Sequence, residues 1–168
     1  MPDDGRHYQV VEGELIMAPA PNRYHQEILS NLLFIFMSFL KKHRIGKVYP
    51  SPFDVCLDEI NVLQPDILFV SNARRSVLTK AGAEGAPDLV IEILSPSNAA
   101  LDRVRKRDVY ARCGVAEFWI ISPESRTVQV YRLQEDAAKP VLIRGEHETL
   151  ESPLLPGLTI DLREVFAE

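Results

Sequence analysis

Between Leu89 and Leu94 the chain sets five large aliphatic residues around one carboxylate, in the order Leu, Val, Ile, Glu, Ile, Leu. A short unbroken apolar run of this kind predicts a strand covered on both faces. An unpaired charge at Glu92 would then cost on the order of several kcal/mol, so the residue needs a partner. Upstream, Tyr8–Val11 and Glu14–Met17 flank Glu12-Gly13 and read as a short hairpin. The segment APAPN stops the second strand and leaves Asn22 as N-cap of a helix running to about His43, with Gly46 just past its end. Ile28, Leu29, Leu32, Ile35, Phe36 and Phe39 recur at helical spacing and give that helix one broad apolar face. His25 lies in its first turn and points toward the same face.

Val48–Ser51, Phe53–Leu57 and Ile67–Val70 read as successive strands, with a turn at residues 58–61. Residues 72–85 predict a loop with at most one helical turn. After the Glu92 strand, Ser97 or Asn98 can cap a second helix to about Arg112, closed by Gly114. Glu117–Ile121 and Thr127–Leu133 then form a hairpin, Val141–Arg144 an edge strand, and Asp161 the cap of a short last helix. This order of helix, strands, helix, strands predicts a mixed α/β (α+β) domain spanning residues 1–168, with a mixed β-sheet flanked by helices. If the strands of Glu92 and Trp119 are parallel, the second helix is the crossover between them.

Composition narrows the function classes. The 168 residues are 46% hydrophobic and 26% charged with a net charge of −5, which suits one domain with a real core and argues against nucleic-acid binding by overall charge. Cys56 and Cys113 have no metal-type spacing and read as free thiols of a cytoplasmic protein. The polar start MPDDGRHYQV has no signal-peptide core, and Ile28–Leu40 is too short for a membrane span of about 20 apolar residues.

Asp66 follows Pro65 at the start of one predicted strand and Glu92 lies in the middle of another. Two carboxylates from neighbouring strands can converge on a hard cation such as Mg²⁺, which would supply the partner Glu92 needs. An arginine or backbone N–H groups would answer the same need. Asp88 sits four residues from Glu92 on the same strand, about 13 Å away, and is a strand-start residue rather than a ligand to the same ion.

Pro65-Asp66 followed by Glu92-Ile93-Leu94 resembles the bipartite signature of the PD-(D/E)XK nuclease superfamily. The chain is similar in particular to its bacterial branch of restriction-endonuclease-like proteins, through GELIMAPAPNRYHQ, PDILFVS, GAPDLVIEILSPS, KRDVYARCGVAEFWIISP and SPLLPGLTIDL. The resemblance implies a restriction-endonuclease-like mixed sheet and Mg²⁺-dependent phosphodiester hydrolysis, with Mn²⁺ as substitute. It implies Asp66, Glu92 and the Ile93 carbonyl as metal ligands. The superfamily's lysine belongs two residues after Glu92, where this chain has Leu94. The related branch takes that lysine from the following helix, and Lys106 stands there one turn from Asp102 and Tyr110. It would orient the attacking water and stabilise charge on phosphorus; the plainer alternative is a solvated residue in an Arg-rich helix.

His25 and Glu14 are secondary candidates, His25 because the superfamily often brings a polar side chain from its first helix to the metal. Residues 102–112 hold five basic and two acidic side chains, and Arg103, Arg105 and Arg107 there could contact nucleic acid, with Arg74 and Arg75 extending the patch. The expected substrate is DNA and the expected assembly a two-fold homodimer, because duplex cleavage needs two cuts. The main alternative is a catalytically inactive binding or assembly module on the same fold.

Overall fold

Leu89–Ile93 forms the predicted strand, and its alternation decides how the molecule is layered. In this computed structural model, which describes residues 6–96 and 100–168, every residue of that strand is buried. Leu89, Ile91 and Ile93 enter one hydrophobic core and Val90 enters another on the opposite face.

The elements run β1 (Tyr8–Val11), β2 (Glu14–Met17), α1 (Arg23–Lys42), β3 (Gly46–Pro50), β4 (Asp54–Asp58), β5 (Asn61–Leu63) and β6 (Ile67–Ser71). A 3-10 helix (Asn72–Val77) follows, then β7 (Gly82–Glu84), β8 (Leu89–Ile93), α2 (Ala100–Arg112), β9 (Glu117–Ser122) and β10 (Thr127–Arg132). The chain closes with β11 (Leu142–Gly145), β12 (Thr149–Leu150), β13 (Ile160–Asp161) and α3 (Leu162–Val165). Six strands in the order β11-β10-β9-β8-β6-β3 make the central sheet, and β2-β1-β5-β4-β7 make a second sheet. Strands β8 and β9 are parallel and α2 joins them, as a crossover requires.

One face of the central sheet packs on α1, where Ile28, Leu32 and Phe36 meet Ile91 and Trp119. The Phe36 and Trp119 rings lie 5.9 Å apart and tilted, a favoured aromatic geometry. On the other face Leu68, Val90 and Phe118 pack against Val109 and Tyr110 of α2 and Val11, Val55 and Leu63 of the second sheet. The central sheet is therefore the shared floor of two cores.

The β1–β2 turn has positive φ at both Glu12 (52°) and Gly13 (80°), the twist that a two-residue hairpin favours. Asn22 caps α1 by accepting the His25 backbone N–H at 2.9 Å, and Asp161 caps α3 by accepting that of Arg163. Gly114, with φ of 94°, follows α2 as expected. Ser97, Asn98 and the Asp102 side chain lie outside the described residues.

Several local expectations differ. Gly46 does not close α1; His43 does so in extended backbone, stacked on Phe39 with ring centroids 4.4 Å apart. Gly46 instead opens β3, where a Cβ would collide with the Val70 carbonyl and the Phe69 ring. The turn after β4 is shorter than residues 58–61, because Asn61 is fully buried and starts β5. Residues 72–85 hold a six-residue 3-10 helix and strand β7 rather than a plain loop.

Candidate active site

Strands β6 and β8 are antiparallel neighbours, pairing Phe69 with Leu89, Leu68 with Val90 and Ile67 with Ile91. One step further along, the same register sets Asp66 across from Glu92. Both side chains fall on the face of Leu68 and Val90, toward α2 and the second sheet. The Ile93 backbone N–H donates to Asp66 Oδ2 at 2.7 Å, so the two strand ends are tied through the carboxylate.

Glu92 is 8% exposed, and its partners come from α2. Lys106 Nζ donates to Oε1 and Oε2, each at 3.2 Å, and the Tyr110 hydroxyl donates to Oε1 at 2.9 Å. The one-turn spacing of Lys106 and Tyr110 thus becomes a two-pronged grip on one carboxylate. Burial pushes the Glu92 carboxyl above its ordinary range; the Lys106 charge opposes that rise and the nearby Asp66 charge adds to it. Burial, with the Glu92 charge behind it, holds the Tyr110 phenol well above its usual value, so it stays a donor.

His25 comes from the first turn of α1 and is buried, with Nε2 3.2 Å from Asp66 Oδ1. Its Nδ1 is buried without a hydrogen-bond partner among the described residues. His25, Asp66, Glu92, Ile93 and Lys106 line one cleft of about 180 Å³. The structure therefore brings together Asp66, Glu92, Ile93, Lys106, Tyr110 and His25.

Glu14 lies apart. It is exposed and pairs with Arg105 at 2.9 Å, on the outer side of the hairpin. The basic residues are also partly committed. Arg105 bonds Glu12, Glu14 and the Val11 carbonyl, while Arg107 contacts Asp108 and lies over the Tyr131 ring. Arg74 donates to the carbonyls of Ala86, Pro87 and Gly114 and sits 3.6 Å from Asp88. Its place is structural, locking the start of β8. Asp88 also accepts the Ser71 N–H at 2.6 Å, which fits a strand-start residue. Arg103 lines the space beside Glu92 and Lys106.

Among the described residues, no group of three or more His, Cys, Asp and Glu side chains is placed to hold a metal ion. Asp66 and Glu92 provide two hard carboxylate donors, and the third oxygen implied by the family pattern is main-chain Ile93. Charge favours the fit. Two carboxylates against one ammonium leave a net negative cleft that would repel a phosphodiester, and a divalent cation reverses that sign.

Sequence reasoning missed Gln9. It is 5% exposed in β1, on the same inward face as Val11, where an aliphatic residue would be ordinary. Its Oε1 accepts the Gln64 backbone N–H at 3.1 Å, and Gln64 Nε2 donates to Asp54 at 2.6 Å. The signal was present in the period of two, which puts positions 9 and 11 on one face.

The model of a protein family matches residues 1–163, and that family, Uma2, is described as "Putative restriction endonuclease". Among solved structures, a putative nuclease belonging to DUF820 from Anabaena variabilis superposes with a TM-score of 0.81. The two sequences are 22% identical, and the alignment covers 99% of this chain and 93% of that one, which shows a common fold. Among curated proteins none matches. With the mixed sheet, the facing carboxylates and a family match that spans nearly its whole length, the chain belongs to the Uma2 family.

Proposed function

We propose that this protein hydrolyses phosphodiester bonds in nucleic acid, with DNA as the substrate and Mg²⁺, or Mn²⁺ in its place, as cofactor. The observation that carries the reading is the convergence of Asp66 and Glu92 from adjacent strands on a cleft that also receives Lys106 from α2. Asp66, Glu92 and the Ile93 carbonyl would hold the cation, which when bound supplies Lewis-acid polarisation of the phosphate. The Ile93 N–H holds Asp66 Oδ2, and His25 flanks Oδ1. Tyr110 fixes Glu92 from the core side. An ammonium has three N–H donors, and Lys106 gives two to Glu92. The third is free to orient the attacking water or to meet charge developing on a phosphate oxygen. Cutting both strands of a duplex would need two such clefts, which a two-fold dimer supplies; sedimentation showing monomer alone at micromolar concentration would count against double-strand cutting and leave single-strand cutting in place.

A second reading has its own observation. Lys106 and Tyr110 satisfy Glu92 without any metal, which favours a non-catalytic binding or assembly module. Calorimetry separates the two. Nuclease chemistry requires Mn²⁺ to bind the parent and to lose its site in Glu92→Gln while circular dichroism stays unchanged. Absence of binding to the parent at millimolar metal selects the module.

A further inference from the structure

Beside the cleft of Asp66 lies a second one of about 260 Å³, lined mainly by apolar residues such as Val11, Ile16, Leu94 and Phe118, together with Arg103 and Arg105. Gln9, Glu92 and Lys106 border both. The site thus has a polar half facing Asp66 and an apolar half between the β1–β2 hairpin and the central sheet, with the Glu92–Lys106 pair at their junction.

Gln9 stands at that junction with its orientation fixed. A backbone N–H can only donate, so the Gln64 N–H requires the oxygen of the Gln9 amide to face it. The NH₂ end is thereby turned the other way, and it finds no protein partner among the described residues. Gln9 is 95% buried, and Gln64 behind it is itself held by Asp54. A pinned amide whose NH₂ opens onto a cleft is available to a ligand without giving up a protein partner.

We infer that the apolar cleft receives the nucleobase next to the scissile phosphate, unstacked from its neighbours, and that Gln9 donates a hydrogen bond to that nucleotide. This rests on the nuclease reading and names its substrate class: nucleic acid with an unpaired nucleotide at the cut, as in single strands, flaps or mismatches. Apolar walls with a few placed polar groups are how a base is held outside a helix. A stacked duplex would bring phosphate to Lys106 but would leave the second cleft unused.

The test uses the full chain and short oligonucleotides carrying one 2-aminopurine, whose fluorescence reports stacking. Binding is read in Ca²⁺ and cleavage separately in Mg²⁺. The parent is expected to bind the single strand more tightly than its duplex, with a fluorescence change at one position. Gln9→Leu should weaken single-strand binding about ten-fold, the size of one hydrogen bond, with duplex binding little changed. Gln9→Met, which loses the donor without adding charge to the cleft, carries the same test should the leucine variant fold poorly. Ile16→Trp, filling the cleft, should abolish the fluorescence change. Equal single-strand binding by parent, Gln9→Leu and Gln9→Met overturns the assignment of Gln9. An unchanged fluorescence response in Ile16→Trp overturns the base subsite. A parent that cuts duplex and single strand alike, with Ile16→Trp as fast on both, overturns the subsite while leaving the nuclease reading intact. A parent that binds neither form overturns both.

Discussion

Glu92 carries its charge inside a sheet because two neighbours on α2 offset the cost. Lys106 supplies opposite charge and Tyr110 a hydrogen bond, while the Asp66 carboxylate across the strand pair works against them. On the proposed reading the lysine comes from the helix instead of from the strand position of Leu94, and Lys106 does reach the Glu92 carboxylate. Leu94 still lies in the core on the α2 side, next to the Glu92 cleft. Lys106→Ala should therefore leave Mn²⁺ binding in place and slow cleavage by roughly two to four powers of ten. Adding Leu94→Lys should restore part of that rate, and cleavage by Lys106→Ala at the parental rate would refute the displaced lysine. Asp58 shows the opposite electrostatic case. The Asn61 side chain, and behind it the Ile60 N–H, hold its carboxyl below the ordinary range. A depressed folded pKa adds stability above the unfolded value of about 3.9, and that stability is lost as pH falls through the folded value. The urea midpoints of parent and Asp58→Ala should differ at neutral pH and converge in acid; a gap that persists in acid would show that the charge is not its source.

At the scale of elements, the long and strongly patterned pieces were legible from the chain alone. α1 announced itself by its apolar stripe and Asn22, β8 by its unbroken aliphatic run, and the first hairpin by Glu12-Gly13. Strands β5, β7, β12 and β13 have two or three residues each, too few for an alternation to register. They exist because partners in the folded chain pair with them. Glu92 was legible because a charge inside an aliphatic run needs explaining, whereas Lys106 was legible only through the family pattern, since a lysine in an Arg-rich helix reads by itself as solvated. Gln9 was marked only by sharing a strand face with Val11, a weak signal because a polar residue in a short strand ordinarily marks the solvent side. The packing of α1 yields a direct expectation. Phe36 is fully buried against Trp119, so Phe36→Ala should cost about 3–5 kcal/mol in a denaturant titration. A cost under about 1 kcal/mol, the range of exposed substitutions, would contradict that packing.

Across the whole molecule, the central sheet divides two cores. Its α1 face holds Trp119 and the larger apolar cluster; Glu92 meets Lys106 and Tyr110 of α2 on the other, and the cleft at the strand ends also takes His25 from α1. Helix α2 is anchored unevenly. Val109 and Tyr110 are fully buried near its C-terminal end, whereas Val104 is 42% exposed nearer its start, where Arg105 holds the hairpin by ion pairs. Regions with few buried apolar contacts open first. Heating should therefore reveal two clocks in one protein. Loosening of the first half of α2 withdraws Lys106 while β8 and the Trp119 layer stay whole, so activity should fade some degrees below the tryptophan transition and return on cooling. Coincident loss of both signals would mean that helix and sheet melt as one. On the proposed nuclease reading, a lysine supplied by a helix would act as a reversible thermal off-switch that a lysine on the strand would not have supplied.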